Sequence, residues 1–327
     1  MSLPEIKYCP GTLAEGFDTY SRTCLKRLFN GKKVFHILPY DSPASNTDSD
    51  VLFDDSRRHI SISGVQEKYS VILEKNKLRL TKEGERGTYI LKPVPSYGNR
   101  ADQMPANEHL TMQIARQVFG IETAENALVF FKNGDSAYIT KRFDVKEDGG
   151  KWAQEDFASL AEKTPQTHGD QYKYTGNYLD LFDLMKKYVP AYQIEALKLF
   201  RLLMFNYLFS NGDAHLKNFS LLETPMGDFR LSPAYDLLNS RIHIEDSDFA
   251  LEDGLLPKSF AQGTIGKQFY TLAEKAELNE KQIHKIVESL RGNSEKVERL
   301  IVASFLNEKT KRSYLQSYNK KLKRLTK

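Results

Sequence analysis

Apolar residues recur at helical spacing along Ile194, Leu197, Phe200, Leu203 or Met204, Tyr207 and Leu208, which predicts a helix running toward residue 210. Asn211-Gly212 ends that run, because both residues tolerate the left-handed conformation of a helix terminus. Upstream the period is two. Ile60 and Ile62 alternate with Ser61 and Ser63, Gly64 to Lys68 forms a turn, and Tyr69 to Leu73 reads as a returning strand. Thr88 to Lys92 is a further strand, closed by Pro93. A helix opens at Pro105, with Leu110, Ile114 and Val118 on one face and Gly120 at its end. Residues 127–131, an Asn133-Gly134 turn and Ser136 to Thr140 make a hairpin. Phe219 to Leu222, a Pro225-Met-Gly227 turn and Phe229 to Leu231 make another. From Gln154 onward the pattern is mainly helical, after a flexible connection at Gly149-Gly150. Lys309 to Lys327 closes it as an amphipathic helix with a solvated basic face rather than a nucleic-acid arm. A sheet-rich first part and a helical second part make the fold class α+β.

Composition narrows the picture. At 327 residues the chain has room for two lobes or one large domain. A net charge of +4 permits contact with nucleic acid without arguing for it. Cys9 and Cys24 make neither a disulfide framework nor more than half a zinc site, so both read as small buried thiols. The N-terminal residues lack an apolar run behind a basic start, so no signal peptide is expected. Lys198 and Arg201 interrupt the apolar helix, which excludes a membrane span there. The expected location is the cytoplasm, and residues 39–50 read as a polar, proline-bearing loop.

The candidate chemistry lies where the apolar helix ends. Asp213 is followed five positions later by Asn218 and, beyond the second hairpin, by Asp236. That is the order in which protein kinases present a base and two Mg2+ ligands: a carboxylate to accept the hydroxyl proton, then an amide oxygen and a carboxylate for hard cations. A capping or turn role for a lone Asp213 is the plainer alternative. Lys92 ending a strand, followed by Glu108 early in a helix, matches the pairing that positions phosphates in kinases, against two unrelated surface charges. The turn at Gly64 to Lys68 has the shape of a phosphate-covering loop, although an ordinary hairpin reads the same way. Lys141 to Asp144 is the crossing out of the sheet, where kinases bind adenine through backbone groups.

In this order the chain resembles the HipA family of bacterial toxin serine/threonine kinases. The matching stretches are Ile60 to Lys68, Tyr89 to Pro93, Asn107-Glu108, Lys141 to Asp144, Gln154 to Asp156, Asn211 to Asn218 and Pro233 to Leu237. The resemblance implies a two-lobed protein-kinase-like fold, with a small antiparallel-sheet N-lobe over 1–145, a larger helical C-lobe over 146–327, and the active site between them. It implies Asp213 as base and Asn218 with Asp236 as Mg2+ ligands. It places Ser63, Gly64, Val65, Gln66, Glu67, Lys68 and Lys92 around the phosphates of ATP, and Lys141, Arg142 and Phe143 at adenine. His215, Lys217 and Tyr235 join the nucleotide-contacting residues, and Ser61 and Ser63 are the autophosphorylation sites. About sixty residues precede the phosphate loop, which resembles the family's shorter branch, where the N-terminal subdomain is a separate protein of a three-component toxin–antitoxin system. The implied partners are a protein substrate in the translation machinery, such as an aminoacyl-tRNA synthetase, and an antitoxin of the same operon. Operator DNA would be met only through the antitoxin. The rivals are a small-molecule kinase of aminoglycoside or choline type, and a nucleotide-binding pseudo-kinase acting as an antitoxin- or DNA-binding module.

Overall fold

The computed structural model describes residues 6–43, 67–96 and 98–325. Ser61, Ser63, Gly64, Val65 and Gln66, with the strand expected at Ile60 and most of the polar loop over 39–50, lie outside the described residues. The chain divides into two compact units.

Unit 1 comprises Met1–Gln113, Ala124–Phe143 and Arg299–Lys311. Its frame is a five-stranded antiparallel sheet of β1 (Tyr69–Glu74), β2 (Lys77–Leu80), β3 (Tyr89–Pro93), β4 (Asn126–Phe130) and β5 (Ser136–Lys141), in the order β2-β1-β3-β5-β4. The turn residues set these hairpins. Lys75 and Asn76 both take positive φ, as a two-residue turn matched to strand twist requires, and Gly134 takes φ +94° between β4 and β5. Helix α1 (Arg22–Phe29), capped by Ser21, shares a core with the sheet: Leu28 and Phe29 pack with Tyr89, Leu91, Val129 and Ile139. Cys9 and Cys24 are buried free thiols, as expected. In helix α2 (Met104–Gln117) every residue from Pro105 to Ala115 is buried, polar ones included.

Unit 2 comprises Ile114–Thr123, Asp144–Glu298 and Arg312–Lys327. Its longer helices are α3 (Leu179–Tyr188), α4 (Tyr192–Leu208), α5 (Ile265–Lys275), α6 (Glu280–Arg291), α7 (Ser294–Ala303) and α8 (Glu308–Leu325), the last two running partly in unit 1. Aromatic rings from α4, α5 and the 249 region meet edge-on or stacked, Tyr207 with Phe249 at 5.6 Å and Phe200 with Phe269 at 6.0 Å.

Several expectations change. Gln154–Asp156 is a strand, β6, not a helix start; it pairs with β7 (Ser220–Glu223), which pairs with β8 (Phe229–Leu231). Gly149-Gly150 is a tight turn, closed by Lys146 N–H on the Gly150 carbonyl at 2.8 Å. Ile194 is exposed and Glu195 buried, its carboxylate accepting Leu231 N–H at 3.1 Å, so the first turn of α4 departs from the reading, while Phe200, Leu203, Met204, Tyr207 and Leu208 are buried as expected. The last helix forms as read, but Lys321 on it is buried against Asp248 at 2.6 Å rather than solvated. No helix among the described residues is long and apolar enough to cross a membrane.

Candidate active site

The loop carrying Asp213 begins where α4 ends. The left-handed residue is Ser210, at φ +55°, rather than Asn211 or Gly212. Phe209, stacked on Phe205 at 4.4 Å and on Tyr318 at 5.1 Å, fixes the exit from the helix. Ser240 then holds the turn: its N–H donates to the Ser210 carbonyl at 3.1 Å, and its Oγ accepts Gly212 N–H at 2.9 Å and bonds to the Asp246 carboxylate. Gly212 is a glycine for want of space. A Cβ there would meet the Asp246 carboxylate and lie 2.5 Å from the Ser247 carbonyl oxygen.

Asp213 follows, half-buried, with the Tyr174 hydroxyl donating to its Oδ1 at 2.9 Å. Burial pushes its carboxyl above the usual range. The Tyr174 bond and the Lys173 charge pull it back, while the like charges of Asp246 and Asp236 add to the rise. A carboxylate placed this way can take a proton from a hydroxyl brought to it. The Tyr174 ring meets His215 edge-on at 5.2 Å, and the Tyr178 hydroxyl donates to the Ala214 carbonyl at 2.8 Å.

Asn218 and Asp236 are brought together, the Asn218 amide donating to Asp236 Oδ2 at 3.4 Å while its Oδ1 accepts His215 N–H at 3.2 Å. Asp236 takes φ +55°, and its carbonyl accepts the Asn211 amide at 3.4 Å. The donor set suits Mg2+, a small cation that takes one or two protein oxygens and fills its shell with phosphate and water. Among the described residues no cluster of three or more His, Cys, Asp or Glu forms an all-protein cage. The Lys217 ammonium lies 3.4 Å from the Tyr172 hydroxyl and 4.0 Å from Asp156, and the Tyr235 hydroxyl donates to the Lys217 carbonyl at 2.9 Å.

Unit 1 carries the other candidate pair. Lys92 on β3 meets Glu108 on α2 at 2.6 Å with both side chains 3% exposed, and its ammonium stands 5.3 Å from the ring centre of Tyr138, its cross-strand partner. Lys141 ends β5 with its ammonium on Asn30 at 2.6 Å; its N–H and that of Arg142 are bonded to the Glu125 and Thr88 carbonyls. Phe143 follows directly. Glu67 accepts the Tyr69 hydroxyl at 2.6 Å, and Lys68 is exposed before β1. Tyr174, Ser240 and Asp246 were not anticipated from sequence. The Tyr172-Lys173-Tyr174 triplet in a polar stretch was the available signal.

Residues 60–297 match the family described as HipA-like C-terminal domain. The chain belongs to that family. A relative from Haemophilus influenzae, named "Putative kinase", is 26% identical over 94% of this chain and 93% of its own length. One from Sinorhizobium fredii, also named a "Putative kinase", is 31% identical over 74% of this chain but only 60% of its own. Two solved structures share the fold. The HipA of Shewanella oneidensis, in a toxin–antitoxin complex with HipB and operator DNA, gives a TM-score of 0.61 at 21% identity, covering 82% of this chain and 64% of that one. The Helicobacter pylori proinflammatory kinase CtkA gives 0.51 at 15% identity, covering 78% and 92%. Membership of this family supports a kinase-type function, and the expected kinase-like α+β fold is the one observed.

Proposed function

We propose that this chain is an ATP- and Mg2+-dependent protein serine/threonine kinase, the toxin of a toxin–antitoxin system. The observation that carries the reading is the combination, on separate units, of the buried Lys92–Glu108 pair and the Asp213, Asn218 and Asp236 group. Mg2+ bound by Asn218 and Asp236 would neutralise charge on the phosphates. Lys92, held by Glu108, would hold the phosphates of ATP. Asp213 would take the proton as the acceptor hydroxyl oxygen bonds to the γ-phosphorus, the bond to the bridging oxygen breaks, and ADP leaves. The Ser63 to Lys68 segment would cover the phosphates, Lys141, Arg142 and Phe143 would meet adenine, and His215, Lys217 and Tyr235 would border the nucleotide. In this reading the substrate is a component of the translation machinery in the cytoplasm, and the partner is an antitoxin through which operator DNA is met. Autophosphorylation is proposed at Ser61 or Ser63, where about −1.5 to −2 charges would oppose those of ATP.

The test is incubation with labelled ATP and whole-cell lysate, followed by mass spectrometry of the chain itself. Wild type is expected to label lysate protein and its own Ser61 or Ser63. Asp213→Asn, which keeps the shape and removes the base, should lose ~10²- to 10⁴-fold of the transfer while still binding ATP. Turnover within a few-fold of wild type would refute the role of Asp213.

A further inference from the structure

Tyr174 reaches the candidate base from outside its loop, on the single turn Tyr172–Tyr174. That turn is anchored on its own backbone. The Tyr174 carbonyl accepts Glu252 N–H at 2.9 Å, and the Thr175 carbonyl accepts the Lys163 ammonium at 2.9 Å. Gly176 N–H donates to the Glu252 carboxylate at 3.2 Å, and its carbonyl accepts Asp253 N–H at 3.1 Å. With the backbone fixed and the ring against His215, the hydroxyl is held on Asp213 Oδ1.

A carboxylate turns readily about its last side-chain bond, a broad torsion. A phenol on one oxygen stops that rotation, and the oxygen that accepts the phenol's hydrogen becomes the weaker base. We propose that Tyr174 is a positioning residue for phosphoryl transfer, fixing Asp213 through Oδ1 so that its other oxygen receives the acceptor's proton. The proposal rests on the phosphotransfer reading above. Four groups act on the Asp213 charge: Tyr174 and Lys173 favour it from the turn, while Asp236 and Asp246 oppose it from the segments after β8. Burial and the Asp213 charge push the phenol of Tyr174 well above its ordinary range, so it stays a donor throughout the working pH range.

Tyr174→Phe keeps the ring and removes only the hydroxyl. Expected are a kcat lower by roughly 10- to 100-fold, an ATP KM within about two-fold, and an acid limb of kcat/KM moved to higher pH. In an Asp213→Asn background the same substitution should cost nothing further. The carboxyl ¹³C resonance of Asp213 should titrate at higher pH in Tyr174→Phe than in wild type. A kcat within two-fold of wild type, an unmoved Asp213 midpoint, or an equal loss in the Asp213→Asn background would overturn the role. A wild type that transfers no phosphate would instead overturn the phosphotransfer reading, and this role with it.

Discussion

The Lys92–Glu108 pair and the Asp213 loop handle charge in opposite ways. The pair sits on a strand and a helix, almost wholly buried, each charge neutralised by the other. The loop holds a half-buried carboxylate on irregular backbone with like charges nearby, and two residues beside it, Ser210 before Asp213 and Asp236 after β8, lie in the left-handed region. Such backbone costs on the order of 1–3 kcal/mol per residue and persists only where its surroundings enforce it. The lysine is thus kept in the stable frame and the proposed base on strained backbone, so stability and activity should separate when each region is altered.

The largest effect is expected at the buried pair. Lys92→Met or Glu108→Leu alone leaves one charge buried without its partner and should cost ~3–5 kcal/mol in chemical denaturation. The double variant Lys92→Met/Glu108→Leu should regain most of that stability while transferring no phosphate. Single variants as stable as wild type would break the comparison. Gly212→Ala comes next. Its Cβ must displace Asp246 and the Ser247 carbonyl, so activity should drop by ~10²-fold for ~1–3 kcal/mol of stability. Equal activity in the alanine variant would mean that the loop tolerates the shift. The smallest stability effect, and of opposite sign, is expected for Asp236→Gly. Glycine removes the cost of φ +55°, worth roughly 1 kcal/mol, yet deletes an oxygen of the proposed Mg2+ site. Calorimetry should find a variant no less stable than wild type whose ATP binding has lost its Mg2+ dependence, and an unchanged dependence would point to other ligands.

Regions whose partners are near in sequence were legible. The β4–β5 and β7–β8 hairpins follow from alternation and from Asn133-Gly134 and Pro225 to Gly227. The Asp213, Asn218 and Asp236 order and the Lys92, Glu108 order stand out in the sequence by residue type and spacing, and the structure brings Lys92 onto Glu108 and Asn218 onto Asp236. Contacts set by tertiary packing were not. Tyr174 lies 39 positions from Asp213, and Asp248, which makes Lys321 a buried residue, lies 73 positions from it. Gln154–Asp156 carries no apolar alternation, and its strand exists because β7 offers a partner. Helix α4 is buried on most of its surface, with Ala196, Leu199, Leu202 and Phe205 packed as deeply as the residues at the expected spacing, and only its first turn, where Ile194 faces solvent, departs from that spacing. Gly212 was read as a conformational need, and only the neighbouring Asp246 and Ser247 show it to be a spatial one.

The unbroken burial of α2 from Pro105 to Ala115 has a consequence in time as well as space. An amide with helical hydrogen bonds and no exposed face exchanges with solvent only when a large cooperative part of the molecule opens. The amide of Glu108 should therefore be among the slowest to take up deuterium, and those of the exposed stretch over 162–171 among the fastest. The lysine-bearing frame would then last as long as the folded molecule does, and faster local openings would be confined to segments such as the one leading into Tyr172–Tyr174.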